Sequence, residues 1–372
     1  MDTRIIDVTK TEGETELKER LQEAALCLRA GGLVAFPTET VYGLGADGCN
    51  PEASARIYAA KGRPSDNPLI MHIAAVEDVE RIAYPNELSV MLAQAFWPGP
   101  LTIILPKKDC VPHETTGGLD TVAIRMPSHP AALSLIRQSG VFVAAPSANL
   151  SGRPSPTRAS HVVEDMNGRV DYIIDGGAVG IGIESTIVDV SEEKPVILRP
   201  GFITAKMLEQ IVGQVKLDPA LEHPAEGFRP KAPGMKYTHY APKGELTLVE
   251  TDEAYVDNEP KGSQAPQAEQ GRRRVAEQIL QLADKKRKDG YRVGIMCPRE
   301  TEDLYAGHGA HVVCVGDRKE QTTVAAGLYA ALREFDSVGV EYIYAESFRG
   351  EGLSYAIMNR LLKAAGHRVV KV

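Results

Sequence analysis

Apolar residues recur along this chain in two rhythms, and the rhythms place its elements. Over residues 15–30, Leu17, Leu21, Ala24, Ala25 and Leu28 fall on one helical face, and Gly31–Gly32 end the helix. Short β-branched runs at 33–37, 69–74, 101–106, 121–127 and 141–146 predict buried strands, several of them closed by proline. Between them, 51–62, 87–96 and 129–138 have helical spacing, with Pro51 at a first turn. Strands at 171–177, 185–190 and 196–201 and a helix at 204–213 complete an α/β region with a sizeable sheet.

The texture changes at 218–245, where five prolines and three glycines forbid long regular structure. Residues 251–270 are polar and predict a surface loop. A new alternation then begins: a helix at 272–288, strands at 291–297 and 311–316, and a helix at 322–335. A strand at 340–346, a helix at 353–365 and a closing strand at 367–372 follow. That order predicts a small doubly wound parallel sheet. The expected organisation is a first domain over 1–217, a linker or lid over 218–245 and a second domain over 246–372.

Composition adds limits. The chain has 372 residues, 43% hydrophobic and 25% charged, which suits a soluble two-domain protein with real cores. The net charge is −8, and −7 of it lies in residues 1–217, which hold 20 Lys and Arg against 27 Asp and Glu. Such a balance disfavours tight non-specific nucleic-acid binding and leaves, at most, a weak and salt-sensitive RNA contact. Cys27, Cys49, Cys110, Cys297 and Cys314 form no CxxC pair and no zinc spacing, so a reducing, cytoplasmic setting is expected. The first twenty residues are too charged for a signal peptide, and no apolar run nears the ~20 residues that span a bilayer.

Walker A, GxGxxG, HExxH and GxSxG motifs are all missing. The chemistry must lie in the loops at strand ends, where α/β sheets place ligands. FPTETVYGLGADG (36–48) offers hydroxyls, including Thr40, and close backbone approach, or is a tight structural turn. KGRPSDNPLIMHI (61–73) sets Lys61 and Arg63 beside Ser65 and Asn67, a set that could hold a triphosphate or complement a helix end. His72, on an apolar strand, reads alone as a core histidine. Arg125 shares a strand face with Thr121 and Ala123, so it needs either an anionic ligand or an internal salt bridge. VAAPSANLSGRPSPT (143–157) supplies Ser147, Asn149 and Ser155, GIESTIVDV supplies Ser185, and ILRPG supplies Arg199.

Taken in order, PTETVYGLGADG, KGRPSDNPL, TVAIRMP, PSANLSG, ESTIVDV and LRPG resemble the threonylcarbamoyl-adenylate synthase family, whose catalytic domain is YrdC-like. PGMKYTHYAP (233–242) and SYAIMNRLLKA (354–364) resemble its long, two-domain form. The resemblance implies a twisted open mixed sheet followed by a smaller Rossmann-like domain. It implies that L-threonine, bicarbonate or CO₂, and ATP, with Mg²⁺, give L-threonylcarbamoyladenylate and diphosphate. The product would pass to a downstream tRNA threonylcarbamoyl transferase complex that modifies adenosine beside the anticodon. Lys61, Arg63, Ser147 and Asn149 match the family signature and take catalytic roles. Arg63, Asn67, Thr121, Ser147, Ser155, Arg199, Tyr237 and Tyr240 are expected around ATP. Thr40, His72, Arg125, Ala145 (by its backbone) and Ser185 are expected around threonine. A double-stranded RNA-binding module is the alternative reading. A hydrogenase-maturation carbamoyltransferase fits poorly, since zinc-finger cysteines are missing.

Overall fold

The structure, a computed structural model, describes residues 2–221, 231–233, 239–251 and 265–372. The chain divides into two compact units, residues 1–151 with 155–237 and residues 152–154 with 238–372. The first unit is built on strands β1 (Arg4–Asp7), β2 (Val34–Phe36), β3 (Gly43–Asp47), β4 (Ile70–His72), β5 (Leu101–Pro106) and β6 (Thr121–Arg125). They are joined by β7 (Val143–Ala145), β8 (Tyr172–Asp175), β9 (Thr186–Asp189), β10 (Val196–Arg199) and β11 (Lys216–Leu217). Their order across one 11-stranded sheet is β1-β8-β2-β3-β7-β4-β6-β5-β9-β10-β11. Pairing is mixed: β4 runs parallel to β6 and antiparallel to β7. This is the open mixed sheet that was expected.

The two faces of this sheet are finished differently, and the period of two along each strand keeps them apart. One face carries Ala35, Leu44, Met71, Val122, Ile124, Ile103 and Val188 into the main core, beneath helices Pro51–Lys61, Glu87–Phe96, Ala159–Met166 and Ala205–Val212. The other face is covered over only part of its width. Val34, Phe36, Val143 and Ala145 pack under helices Gly13–Arg29 and Pro130–Ser139 through Leu21, Leu28, Ala132 and Leu135. Farther across, Ile70, Ala123, Ile104, Ile187 and Leu198 form a separate cluster, joined among the described residues by Ala232 and Ala220 and by no α-helix. That helix-free stretch is the floor of the site described below.

Two of the helices on the core face are fixed by ordinary end signals. Asn50 accepts from the backbone N–H of Glu52 and Ala53, Pro51 opens the helix, and Gly62 closes it in the left-handed conformation. Helix Glu87–Phe96 starts with a reciprocal Asn86–Ser89 capping box.

The second unit holds β12 (Glu245–Glu250), β13 (Val293–Cys297), β14 (His311–Cys314), β15 (Tyr342–Glu346) and β16 (Val369–Lys371). They are ordered β14-β13-β15-β12-β16, every pair parallel, with helices Ala265–Lys288, Gln321–Val338 and Leu353–Ala364 between strands. This is the small doubly wound sheet that the alternation predicts.

Among the described residues, four strands and three α-helices escape the periodicity: β1, β3, β11, β12, the four-residue helices Val79–Ile82 and His113–Thr116, and helix Ala159–Met166. The loop expected over 36–48 in fact contains β3. Gly43 and Gly45 stand where a Cβ would lie 3.2 Å and 2.9 Å from the Phe36 ring, so the glycines make room for an aromatic neighbour and do not mark a turn.

Candidate active site

The floor residues alternate with the core residues of the same strands. His72 shares its face with Ile70, Thr121 and Arg125 with Ala123, Thr102 with Ile104, and Ser185 with Ile187. In the parallel register of β4 and β6, Ile70 faces Ala123 and His72 faces Arg125. Continuing that register sets Asn67–Pro68 beside Thr121. The floor therefore has two polar ends, and Thr121 and Arg125 stand about 13 Å apart on one strand.

At the Arg125 end the side chains form a connected chain. Arg125 is 4% exposed, donates from Nη1 to Thr40 Oγ1 (2.9 Å) and from Nε to the Gly99 carbonyl (3.3 Å), and pairs through Nη2 with Glu39 Oε1 at 2.6 Å. Thr40 in turn contacts Thr38 (2.9 Å). Antiparallel pairing of Ile103 with Ile124 brings Thr102 opposite Arg125, and Thr102 contacts Ser185 Oγ at 2.7 Å. Ser185 Oγ accepts from Arg199 Nη2 (3.1 Å), whose Nε donates to the Ser185 carbonyl (3.0 Å). Arg199 Nη1 also reaches the carbonyl of Pro233, next to the buried Ala232. Two buried guanidinium groups thus flank a Thr102–Ser185 hydroxyl pair, an arrangement suited to two anionic groups side by side.

Electrostatics at this end follow from burial. Burial, with Arg125 beside it, pushes the His72 imidazole down to about 3, so the ring is neutral, and its Nδ1 lies 3.0 Å from the Ile70 carbonyl. Burial pushes the Glu39 carboxyl up, but Arg125 and backbone N–H groups, that of Ser128 among them, together hold it below the usual carboxylate range. Ala145 pairs with Ile70 and has its peptide on the same floor.

The loop at the other end is braced from within. Lys61 closes helix Pro51–Lys61, is 2% exposed and donates its Nζ protons to the carbonyls of Ser147 and Asn149. Ser147 Oγ donates to Asn149 Oδ1 (2.5 Å). Arg63 Nη2 donates to the carbonyls of Asn67 (3.3 Å) and Pro68 (3.2 Å), and the Tyr58 hydroxyl to that of Asn67 (3.1 Å). Asn67 is 1% exposed, and its Oδ1 has no hydrogen-bond partner among the described residues. Ser155 donates to Glu184 Oε1 at 2.5 Å, both buried.

The first unit thus assembles Thr40, His72, Arg125, Ala145, Ser185 and Arg199 at one end. Lys61 is joined to Ser147 and Asn149, and Arg63 to Asn67, with Thr121 beside them. Tyr240 lies in the second unit, where it is 5% exposed and stacks on Tyr329 at 5.3 Å. Tyr237 lies outside the described residues. Sequence reading passed over Thr102, Glu184 and Glu39. The signal for Glu39 was its place next to Thr40, in a loop following a strand.

Comparison with known proteins gives concordant results. Residues 27–201 match the family of Sua5, YciO and YrdC proteins described as telomere recombination, and residues 203–366 match the threonylcarbamoyl-AMP synthase C-terminal domain. The chain is 48% identical to the threonylcarbamoyl-AMP synthase of Bacillus subtilis, over 95% of this chain and 94% of that one. It is 45% identical to that of Pyrococcus abyssi, over 96% and 98%. The crystal structure of P. abyssi Sua5 complexed with L-threonine covers 100% of both chains with a TM-score of 0.87 at 44% identity.

Proposed function

The chain belongs to the threonylcarbamoyl-AMP synthase family, and from that premise we propose that it is a nucleotidyltransferase that joins L-threonine, bicarbonate or CO₂, and ATP into L-threonylcarbamoyladenylate and diphosphate. The product serves N6-threonylcarbamoyladenosine formation next to the anticodon of tRNA. In this reading the threonine carboxylate docks on Arg125 beside Thr40, with Ser185 and the neutral His72 around the side chain. ATP lies along the floor from Arg63, Asn67 and Thr121 toward Arg199. The threonine ammonium gives up a proton to solvent, the free amine attacks CO₂ and loses a second proton to solvent to give a carbamate, a carbamate oxygen attacks the α-phosphorus, and diphosphate leaves. No protein nucleophile takes part, so catalysis rests on positioning and on neutralising charge at phosphorus. Arg63 and Arg199 supply charge directly. Lys61 acts through the loop that it braces, shaping Ser147 and Asn149 for the phosphates. Mg²⁺ enters as the companion of the ATP phosphates, and among the described residues no three acidic, histidine or cysteine side chains gather around one point.

The observation that carries this reading is the pair of buried arginines, Arg125 and Arg199, on either side of Thr102–Ser185. They provide neighbouring seats for a carboxylate and a phosphate. The segment around Ala232 and Pro233 covers the floor beside Arg199, which suits a lid that keeps water from a labile carbamoyl-adenylate. In the proposal Tyr237 belongs to that lid. We place the enzyme in the cytoplasm, with the transferase complex that consumes its product, and no described helix is long and apolar enough to cross a membrane. The relatives favour the enzyme over the RNA-binding alternative. The test is diphosphate release, expected only when threonine, bicarbonate and ATP are all present. Release without threonine would overturn the proposal.

A further inference from the structure

The roles assigned above leave unused a mostly buried carboxylate in the first unit. Glu39 lies beside the amino-acid seat, its side chain 13% exposed, and none of the substrate contacts just proposed involves it. Its Oε2 accepts from the backbone N–H of Ser128 (3.1 Å), which fixes the carboxylate in place. Its Oε1 lies 2.6 Å from Arg125 Nη2, yet neither atom has an aligned hydrogen bond. An Arg–carboxylate pair that serves only the fold gains most from a two-pronged, aligned contact. Here Nη1 is spent on Thr40 and Nε on Gly99, so the pair is held close and offset. Both atoms are buried and have no other hydrogen-bond partner among the described residues.

We propose that Glu39 is the specificity-determining acceptor for the α-ammonium group of the amino-acid substrate, so that Glu39 and Arg125 together read a zwitterion. This rests on the amino-acid site proposed above. A carboxylate arriving on Arg125 comes within a few ångströms of Glu39 and is repelled by it, a cost that is steep in a buried site. An α-amino acid brings its own cation one carbon away from that carboxylate, and the cation meets Glu39. A carboxylic acid without the amine suffers the repulsion with nothing to offset it. When the substrate is gone, Glu39 is the counter-ion that keeps Arg125 from being buried alone.

The test is calorimetric titration of the full chain with L-threonine and with 3-hydroxybutanoate, which is threonine without its amine, both in the absence of ATP. Wild type should prefer threonine strongly. Glu39→Gln should weaken threonine binding by about 10- to 100-fold, the usual weight of a charged hydrogen bond. It should leave 3-hydroxybutanoate equal or tighter, so the preference collapses while ATP affinity is unchanged. Glu39→Asp keeps the charge but withdraws it by one methylene, and should lose part of the preference. If Glu39→Gln does not fold, Glu39→Asp decides. A preference unchanged in the folded variant overturns the proposal. Wild type that binds threonine but releases no diphosphate overturns the synthase reading and leaves this one standing. Wild type that binds no threonine overturns both.

Discussion

His72 shows how a single buried group ties the site to stability. Folded, its imidazole resists protonation down to about 3, whereas an unfolded histidine takes a proton near 6.5. Between those values the unfolded state binds more protons. The contribution of His72 to stability is therefore whole above about pH 6.5 and drains away as pH falls toward 3. His129, also held down by burial, acts with the same sign. His72→Gln should flatten the fall of Tm between pH 7 and pH 4 without abolishing it, and a variant with the wild-type slope would contradict this. Gly201 makes a second residue-scale case. A Cβ there would lie 2.5 Å from the Thr186 nitrogen and 2.8 Å from the Glu184 carbonyl oxygen, with Ser185 between them. Gly201→Ala should cost about 1–3 kcal/mol in denaturant titration and should raise the KM for threonine. At this scale the sequence was readable where a residue type is costly to bury. Arg125, in an apolar strand, announced a partner, but the choice between ligand and salt bridge needed the 2.6 Å contact to Glu39, which no spacing reveals.

Among the elements, helix Pro51–Lys61 does the most for the site. Its capping signals were legible, and its last residue delivers a buried ammonium to two carbonyls of the loop after β7. Lys61→Met keeps the apolar stem but removes the ammonium, and leaves those carbonyls unpaired, at about 1–3 kcal/mol each. Diphosphate release should vanish while circular dichroism still reports a folded chain. Full activity would mean that the brace is dispensable. The elements that escaped sequence reading have particular reasons. β3 is glycine-rich because Phe36 and Val143 occupy the space of its side chains. β1 is largely exposed, so it carries no clear alternation. Helix Ala159–Met166 has only eight residues, with Ala159, Val162, Asp165 and Met166 buried, and a buried aspartate blurs its apolar face.

At the scale of the whole molecule, the two-part organisation was legible from the change in texture, while strand order was not. Hydrophobic rhythm says that β4 and β6 are strands; it does not say that they are neighbours or that no described α-helix packs in the cluster on their shared outer face. The floor is apolar at Ile70, Ile104, Ala123, Ile187 and Leu198, and Ala220 and Ala232 pack on it. A chain ending at residue 217 should fold, lose most diphosphate release and bind more of an apolar fluorescent dye than the full chain. Equal activity and equal dye binding would show that the later segment is dispensable.

The pairing of β1 with β8 has a consequence for how the protein is born. Arg4 and Tyr172 are register partners 168 residues apart, so β1 leaves the ribosome well before β8 and must wait for it. At 5–20 residues per second, that wait is roughly 10–30 s. Throughout it, Ile5 and Ile6 have no sheet to join. The charges that bracket them, Arg4 and Asp7, keep such an unpaired strand from recruiting the wrong neighbour while the ribosome works toward residue 175.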